Sequence, residues 1–443
     1  MGFHRPLVTF ISMSVSEYRP SVGQTLLWFL DRARGEEGAL SCPTLCRLRG
    51  PLNPIQIRRA VDEVVWRHEA LRTTFKGGGR HLRAVVADSL SPEISEVDLS
   101  GEPDPEAAVK VAIAEELGTR IAPNVSSLRL TLWKLGESDH VLCFNMHHMI
   151  TDSWSCNVVF EDLCAALDRD ELTSDSQRAA TFSEFAEQQR DFLSGPSGKQ
   201  LRRFWGERLE DLVLPPLPMQ AATPGALRDT RLVQRTLDAD TVDCLNRLAR
   251  DERSTMFVVL LTAFYRALGE ASNTNDLALA TLFANRSVEH RRTVGFVANM
   301  VLLRTRLTGG DFDADLRATH HTVMEAFVHQ ALPFQMLPVN LGEAGRRPDD
   351  IVFQMMADPV YSTFAGGLDI EVLVPDGVAT RFELELVAVP DNDRIRMLLF
   401  FNPNRFQSDF AEGLLDNYFA ICRDAIASRM PGCERGVSRR SPR

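Results

Sequence analysis

Residues 146–155 read MHHMITDSWS, two adjacent histidines with an aspartate four positions beyond the second. Upstream, LRLTLWKLGESDHVLCFNMHH (128–148) reads as two strands joined by the polar GESDH turn, the first alternating and the second largely apolar and so buried. Downstream, DSWSCNVVFEDLCAALDR (152–169) resumes helical periodicity, with Asp152 or Ser153 as a natural N-cap. The motif therefore lies on a strand-to-helix connection. A histidine there can present its ring to a cleft while the backbone stays fixed, and its ordinary pKa of about 6.5 suits proton transfer near neutrality. Asp152 can orient that ring, or turn away to pair with an arginine and fix the loop.

Other chemistries fit these residues less well. A metal site needs a third ligand, and neither H-E-x-x-H nor a cysteine–histidine set occurs; His320 and His321 form another pair but lack an acidic partner at ligand spacing. A Ser-His-Asp hydrolase needs an exposed serine elbow, and no G-x-S-x-G is present. A purely structural histidine pair at a strand end stays open at this point.

The chain has 443 residues, enough for two domains, with 44% hydrophobic and 25% charged residues. No apolar run approaches the ~20 residues of a membrane helix, so a soluble, cytoplasmic protein with no membrane partner is expected. MGFHRPLVTFISMSV at the N-terminus has no small-residue cleavage site, and Pro6 stands where myristoylation calls for Ser or Thr. A formal charge of −11 argues against a nucleic-acid surface. The eight cysteines contain no C-x-x-C pair and read as thiols in a reducing compartment.

Along the chain, GQTLLWFLDRA (23–33) is helical, and NPIQIRRAVDEVVWRHEALRTTF (53–75) opens with Asn53 as cap and Pro54 at the first helical position. Its apolar face runs through Ile57, Ala60, Val61, Val64 and Val65. Proline- and glycine-rich pieces mark residues 176–225 as a linker, interrupted by a helical stretch from Phe182 to Trp205. The second half repeats the mixture in STMFVVLLTAFYRALGE, DLALATLFAN and GFVANMVLLRTRL. Two α/β lobes are expected, over 1–175 and 226–430, followed by a basic, disordered tail over 431–443.

Several stretches together resemble the condensation domains of nonribosomal peptide synthetases, within the chloramphenicol-acetyltransferase-like acyltransferases. SVGQTLLWFL (21–30) and RHEALRTTF (67–75) are similar to the first two motifs of that family, and MHHMITDSWS to its active-site HHxxxDG. TFSEFAEQQRDFL, FWGERLEDLVLPPLP, VGFVANMVLLR, HQALPFQML and VFQMM continue the match in order, from about residue 21 to residue 428. The resemblance implies an α/β (α+β) fold of two acetyltransferase-like lobes, a V-shaped pseudo-dimer with a central tunnel.

Carried over by residue, it makes His148 catalytic, with His147 supporting the loop. Asp152 is structural, paired with Arg286, or alternatively with Arg72. Ser153, Trp154, Asn299 and Met300 line the substrate channel. Ser153 replaces the family's glycine, which bears on donor specificity unless it merely caps the helix; Ala298 and Met300 replace the usual valine and threonine.

The implied reaction is attack of a small-molecule amine or alcohol on an acyl thioester carried by the phosphopantetheine of a separate acyl or peptidyl carrier protein. The enzyme itself would hold no metal or cofactor. With no adenylation or carrier segment between Met1 and Arg443, a free-standing enzyme is expected. Two alternatives stay open: an acyl-coenzyme A-dependent O- or N-acyltransferase of the same superfamily, and a non-catalytic recruitment domain that binds carrier proteins.

Overall fold

The computed structural model describes residues 15–34, 40–169, 180–221, 229–338, 347–356, 362–373 and 382–429. The N-terminal stretch read for a leader and the basic tail lie outside them, as do parts of the expected linker.

The strand Asp139–His147 is buried at every position after its first residue. A strand so apolar on both faces needs neighbours on both edges and cover on both sides. It sits inside a six-stranded sheet ordered Ser362–Ala365, Leu368–Leu373, Ser41–Arg49, Asp139–His147, Leu128–Gly136, Ile94–Asp98. Only the last pair is parallel. The register sets Ser41 opposite His147 and Cys42 opposite Met146.

Helix Pro54–Arg67 starts as its sequence dictates: the Asn53 side chain accepts from the Ile55 N–H at 3.0 Å, and Pro54 takes a position whose N–H would be unsatisfied anyway. It buries Ile57, Ala60, Val61, Val64 and Val65, the face read from the sequence, and adds Glu63. These apolar side chains pack with Leu27, Phe75, Phe144, Met146, Met149, Val159 and Leu163 into one core. A three-stranded sheet of Val15–Tyr18, Arg83–Ala87 and Thr73–Lys76 completes this part.

The chain divides into two compact units, and they interleave in sequence. The first holds Met1–Gly195, Ala284–Ala298 and Val360–Gly377; the second holds Pro196–Phe283, Asn299–Pro359 and Val378–Arg443. The contiguous division at 1–175 and 226–430 misses this arrangement. Strand Leu368–Leu373 joins the first sheet by pairing with Ser41–Arg49, Ile370 opposite Leu48. The boundary at Gly195 falls between two helices, Phe182–Ser194 and Pro196–Arg208, inside the stretch read as linker.

The second unit has its own six-stranded sheet, ordered Asn299–Arg306, Asp276–Phe283, Ile351–Met355, Leu384–Asp391, Arg394–Phe401, Arg231–Leu237. Helices Met256–Ser272, Phe312–Val328 and Ser408–Ala427 bury Phe264, Tyr265, Leu316 and Tyr418. Tyr265 keeps its hydroxyl satisfied by donating to the Leu303 carbonyl at 2.8 Å.

Within the first unit, Gly295 has φ +154°, and a Cβ there would stand 1.8 Å from Phe182 Cδ2. Both the backbone and the buried ring demand glycine. Gly295→Ala is expected to lower the unfolding free energy by about 2 kcal/mol or more, read from urea denaturation.

Candidate active site

The buried strand ends at His147, and His148–Ile150 form a single turn of 3-10 helix before Asp152 caps the helix Ser153–Leu167. The strand pairing extends into this turn: His147 N–H donates to the Ser127 carbonyl and His148 N–H to the Leu40 carbonyl, each at 2.8 Å. Gln24, 1% exposed, donates through Nε2 to the Met149 carbonyl at 2.9 Å. The chain around the two histidines is thus held from three directions.

The two imidazoles do different things. His147 is 1% exposed; its Nδ1 accepts from the Met149 N–H at 3.1 Å, so the ring proton sits on Nε2, which faces Asp31 Oδ1 at 3.5 Å. Asp31 in turn pairs with Arg120. Burial pushes the Asp31 carboxyl up, but the hydrogen bonds from His147 and Arg120 outweigh it and hold the group below the usual carboxylate range. This ring is fixed at both nitrogens by structural partners.

His148 is half-buried, and its Nδ1 lies 2.9 Å from the Thr151 carbonyl oxygen. A carbonyl only accepts, so Nδ1 carries the proton and Nε2 is the basic nitrogen of the neutral ring. Phe296 meets the imidazole edge-on at 5.3 Å between centroids. It gets that close because residue 23 is glycine; a Cβ there would stand 2.7 Å from Phe296 Cδ1.

Asp152 turns away from the imidazole. Its Oδ1 accepts from the Ser155 N–H and hydroxyl at 2.8 and 2.7 Å, and its Oδ2 accepts from the N–H groups of Val297 and Ala298 at 3.0 and 2.8 Å. Arg286 Nη2 donates to both oxygens, at 2.8 and 3.0 Å, and to Ser155 Oγ at 2.9 Å. Every donor but the helix cap comes from the Ala284–Ala298 segment, so this one carboxylate pins that segment, and Phe296 with it, against the histidine turn.

The remaining sequence candidates spread out. Ser153 is exposed at the helix start, and Trp154, 38% exposed, donates through Nε1 to the Arg291 carbonyl at 2.8 Å. Arg72 directs its guanidinium to the carbonyls of Val65, Trp66, Ala87 and Asp88. Asn299 and Met300 belong to the second unit. The Asn299 carboxamide donates to the Gln330 and Leu332 carbonyls, both at 2.7 Å, and accepts from Phe334 N–H, while Met300 is 8% exposed on its strand.

Ser155, Thr151, Phe296 and Gln24 were not singled out from the sequence. Ser155 was detectable: a serine three residues past an N-cap aspartate is placed to share its carboxylate.

A second buried cluster ties the same helix to the same segment. His68 Nε2 lies 2.7 Å from Asp162 Oδ2, and Arg67 and Arg292 both donate to Asp162 Oδ1. Burial pushes Asp162 up, but His68 and the arginine charges outweigh it and keep the carboxyl below its usual range. Burial also lowers His68 below the ordinary imidazole range, against the pull of Asp162. Below pH about 6.5 the unfolded chain therefore takes up a proton that folded His68 resists, so its stabilising contribution is complete above that pH and is lost as pH falls toward the folded value. His290 and His140 are lowered by burial too and act in the same direction. The thermal midpoint is expected to drop between pH 7.5 and 5.5, and His68→Gln to flatten part of that slope.

A family model described as a condensation domain matches residues 16–432. The chain belongs to the condensation-domain family. This condensation domain is 30% identical over 442 residues to a linear gramicidin synthase of Brevibacillus parabrevis, covering 95% of the chain and 8% of that protein. It is 31% identical over 332 residues to phosphinothricin tripeptide synthetase PhsC of Streptomyces viridochromogenes, covering 72% of the chain and 30% of that protein. The domain thus spans less than a third of either synthetase.

Among solved structures, the X-domain from teicoplanin biosynthesis matches with a TM-score of 0.81 at 21% identity, over 95% of this chain and 96% of that one. The SgcC5 protein from Streptomyces globisporus matches with a TM-score of 0.76 at 24% identity, over 92% and 99%. These likenesses give the fold: mixed α/β, of the chloramphenicol-acetyltransferase-like kind shared by condensation domains. Among the described residues, no helix is long and apolar enough to cross a membrane.

Proposed function

We propose that this condensation domain forms an amide or ester bond by catalysing attack of an amine or alcohol on an acyl thioester carried on the phosphopantetheine arm of a carrier protein. The observation that carries the reading is the 2.9 Å contact of His148 Nδ1 with the Thr151 carbonyl, a partner that only accepts, so that Nε2 is the proton-accepting nitrogen of the neutral ring.

In the reaction the acceptor's N–H or O–H is polarised by Nε2 while its heteroatom attacks the thioester carbonyl. The carbon–sulfur bond breaks as the tetrahedral intermediate collapses, the carrier's thiolate leaves, and the proton taken by the imidazole returns to that sulfur. Registration of two bound reactants supplies most of the acceleration, with one imidazole moving the proton. The Asp152 network supports this by keeping its charge off His148: a carboxylate against the ring would favour the protonated, non-basic form.

The test is donor discrimination. The protein is incubated with one acyl group presented either on a carrier protein or on coenzyme A, together with a pool of amines and alcohols, and products are followed by mass spectrometry. New amide or ester from the carrier-bound donor supports the reading. Transfer from coenzyme A alone replaces it with the acyl-coenzyme A-dependent activity. No transfer, with retained carrier binding, replaces it with recruitment, a role in keeping with an X-domain that has been seen in complex with OxyB.

A further inference from the structure

Two cysteines that the acyl-transfer chemistry does not use meet beside the histidine turn. Cys42 lies on strand Ser41–Arg49, one position from the residue that pairs with His147, and Cys156 lies in the first turn of helix Ser153–Leu167. Their sulfurs are 3.5 Å apart. The contact is built from both sides: Cys156 N–H donates to the Asp152 carbonyl at 3.0 Å, Thr44 Oγ1 donates to the Cys156 carbonyl at 3.4 Å, and Thr151 Oγ1 stands 3.8 Å from Cys156 Sγ. A disulfide closes this 3.5 Å separation to roughly 2.05 Å.

The neighbouring thiols differ from this pair. Cys46 and Cys143 are buried, and burial pushes both thiols up; burial also pushes Cys164 up, to about 12. Cys42 and Cys156 retain partial exposure, with their sulfurs packed among protein atoms, which favours a small oxidant over a bulky one. Within the pair, the shared hydrogen bond raises the Cys42 thiol and lowers that of Cys156. The Thr151 hydroxyl beside Cys156 Sγ and the place of Cys156 near the helix N-terminus favour a thiolate there, so Cys156 takes the attacking role and Cys42 the resolving one.

We propose that Cys42 and Cys156 form a site of reversible oxidation, closed to an intramolecular disulfide by a peroxide. The Cys156 thiolate attacks one peroxide oxygen; the O–O bond breaks, an S–O bond forms, and the departing hydroxide takes up the proton that Cys156 had lost, leaving water and a sulfenic acid. Cys42 then attacks that sulfur; the S–S bond forms, the S–O bond breaks, and the hydroxide leaves with the Cys42 proton as a second water. Two thiols have lost two electrons and two protons, and one hydrogen peroxide has become two waters. The link ties the first turn of the helix to the sheet next to Thr151, whose carbonyl anchors His148.

The experiment treats the full chain with hydrogen peroxide, alkylates the remaining thiols and maps peptides by mass spectrometry, so it does not depend on any catalytic activity. The expected result is a peptide pair joined through Cys42 and Cys156 with loss of two hydrogens, released by dithiothreitol. In Cys42→Ser the resolving thiol is absent, and Cys156 should instead be trapped as sulfenic acid by dimedone. Full alkylation of both residues in the wild-type chain, at peroxide doses that oxidise free cysteine, overturns the proposal. So does a link joining either residue to a different cysteine.

Discussion

Arg286→Ala is expected to cost about 3–5 kcal/mol of unfolding free energy, among the largest effects of any single substitution outside the core. Arg286 and Asp152 form an ion pair whose side chains are 3% and 2% exposed. Removing the guanidinium leaves the carboxylate enclosed, with only the N–H groups of Ser155, Val297 and Ala298 and the Ser155 hydroxyl to compensate its charge. The carbonyls of His290 and Thr293, which accept from Arg286 Nη1, lose their donor in the same step. Arg286→Lys should recover only part of the loss, because one ammonium cannot span the carboxylate and those carbonyls together. The Asp152→Ala/Arg286→Ala double variant should cost less than the sum of its singles, since neither charge is then stranded. Urea denaturation at pH 7.5 measures all of these, and a loss below about 1 kcal/mol for Arg286→Ala would place the pair in the class of solvated surface ion pairs.

His148→Ala is expected to lower turnover by about 10²–10⁴-fold, the range for losing one positioned proton-transfer group. The fold should survive it. The His148 backbone bond to the Leu40 carbonyl is independent of the side chain, and the ring is half-buried, so its removal opens no sealed cavity. The turn around it is held by the side chains of His147, Gln24 and Asp152, whose bonds to the Met149 and Val297 backbone do not pass through the lost imidazole. Thermal unfolding of the variant should therefore stay close to wild type while acyl transfer collapses. His147→Ala should reverse the pattern, with lower stability because the buried Met149 N–H loses its acceptor and Asp31 keeps only its pairing with Arg120.

Much of this architecture was legible locally. Asn53 followed by Pro54 announces a helix start, period-four apolar residues give its buried face, and an apolar run ending in two histidines gives a central strand opening onto a capped helix. Asp152 could be read as an N-cap or as an arginine partner, and it is both: one oxygen serves the helix, the other the Val297–Ala298 backbone, and Arg286 spans the two. What escaped the sequence was long-range. Strand Leu368–Leu373 pairs with a strand more than three hundred residues earlier, as the Ile370–Leu48 partnership shows, and nothing in its own alternation names that partner. The edge of Phe296 on His148, enabled by the absent Cβ of Gly23, and the Cys42–Cys156 contact are likewise products of tertiary packing. Asn299 reads as a lining residue by its place in a motif, whereas its carboxamide holds the backbone of 330–334, a role set by a loop that local periodicity does not describe.

The most direct measurement of the central claim is single-turnover intact mass spectrometry of an acylated carrier protein, mixed with excess wild-type or His148→Ala protein and an acceptor pool. The account predicts that the wild-type protein strips the acyl group from the phosphopantetheine arm and yields a matching amide or ester, while His148→Ala, equally folded, leaves the carrier loaded over the same interval. Equal deacylation and product formation by both proteins would contradict it, because the reaction would then proceed without the imidazole on which the whole site converges.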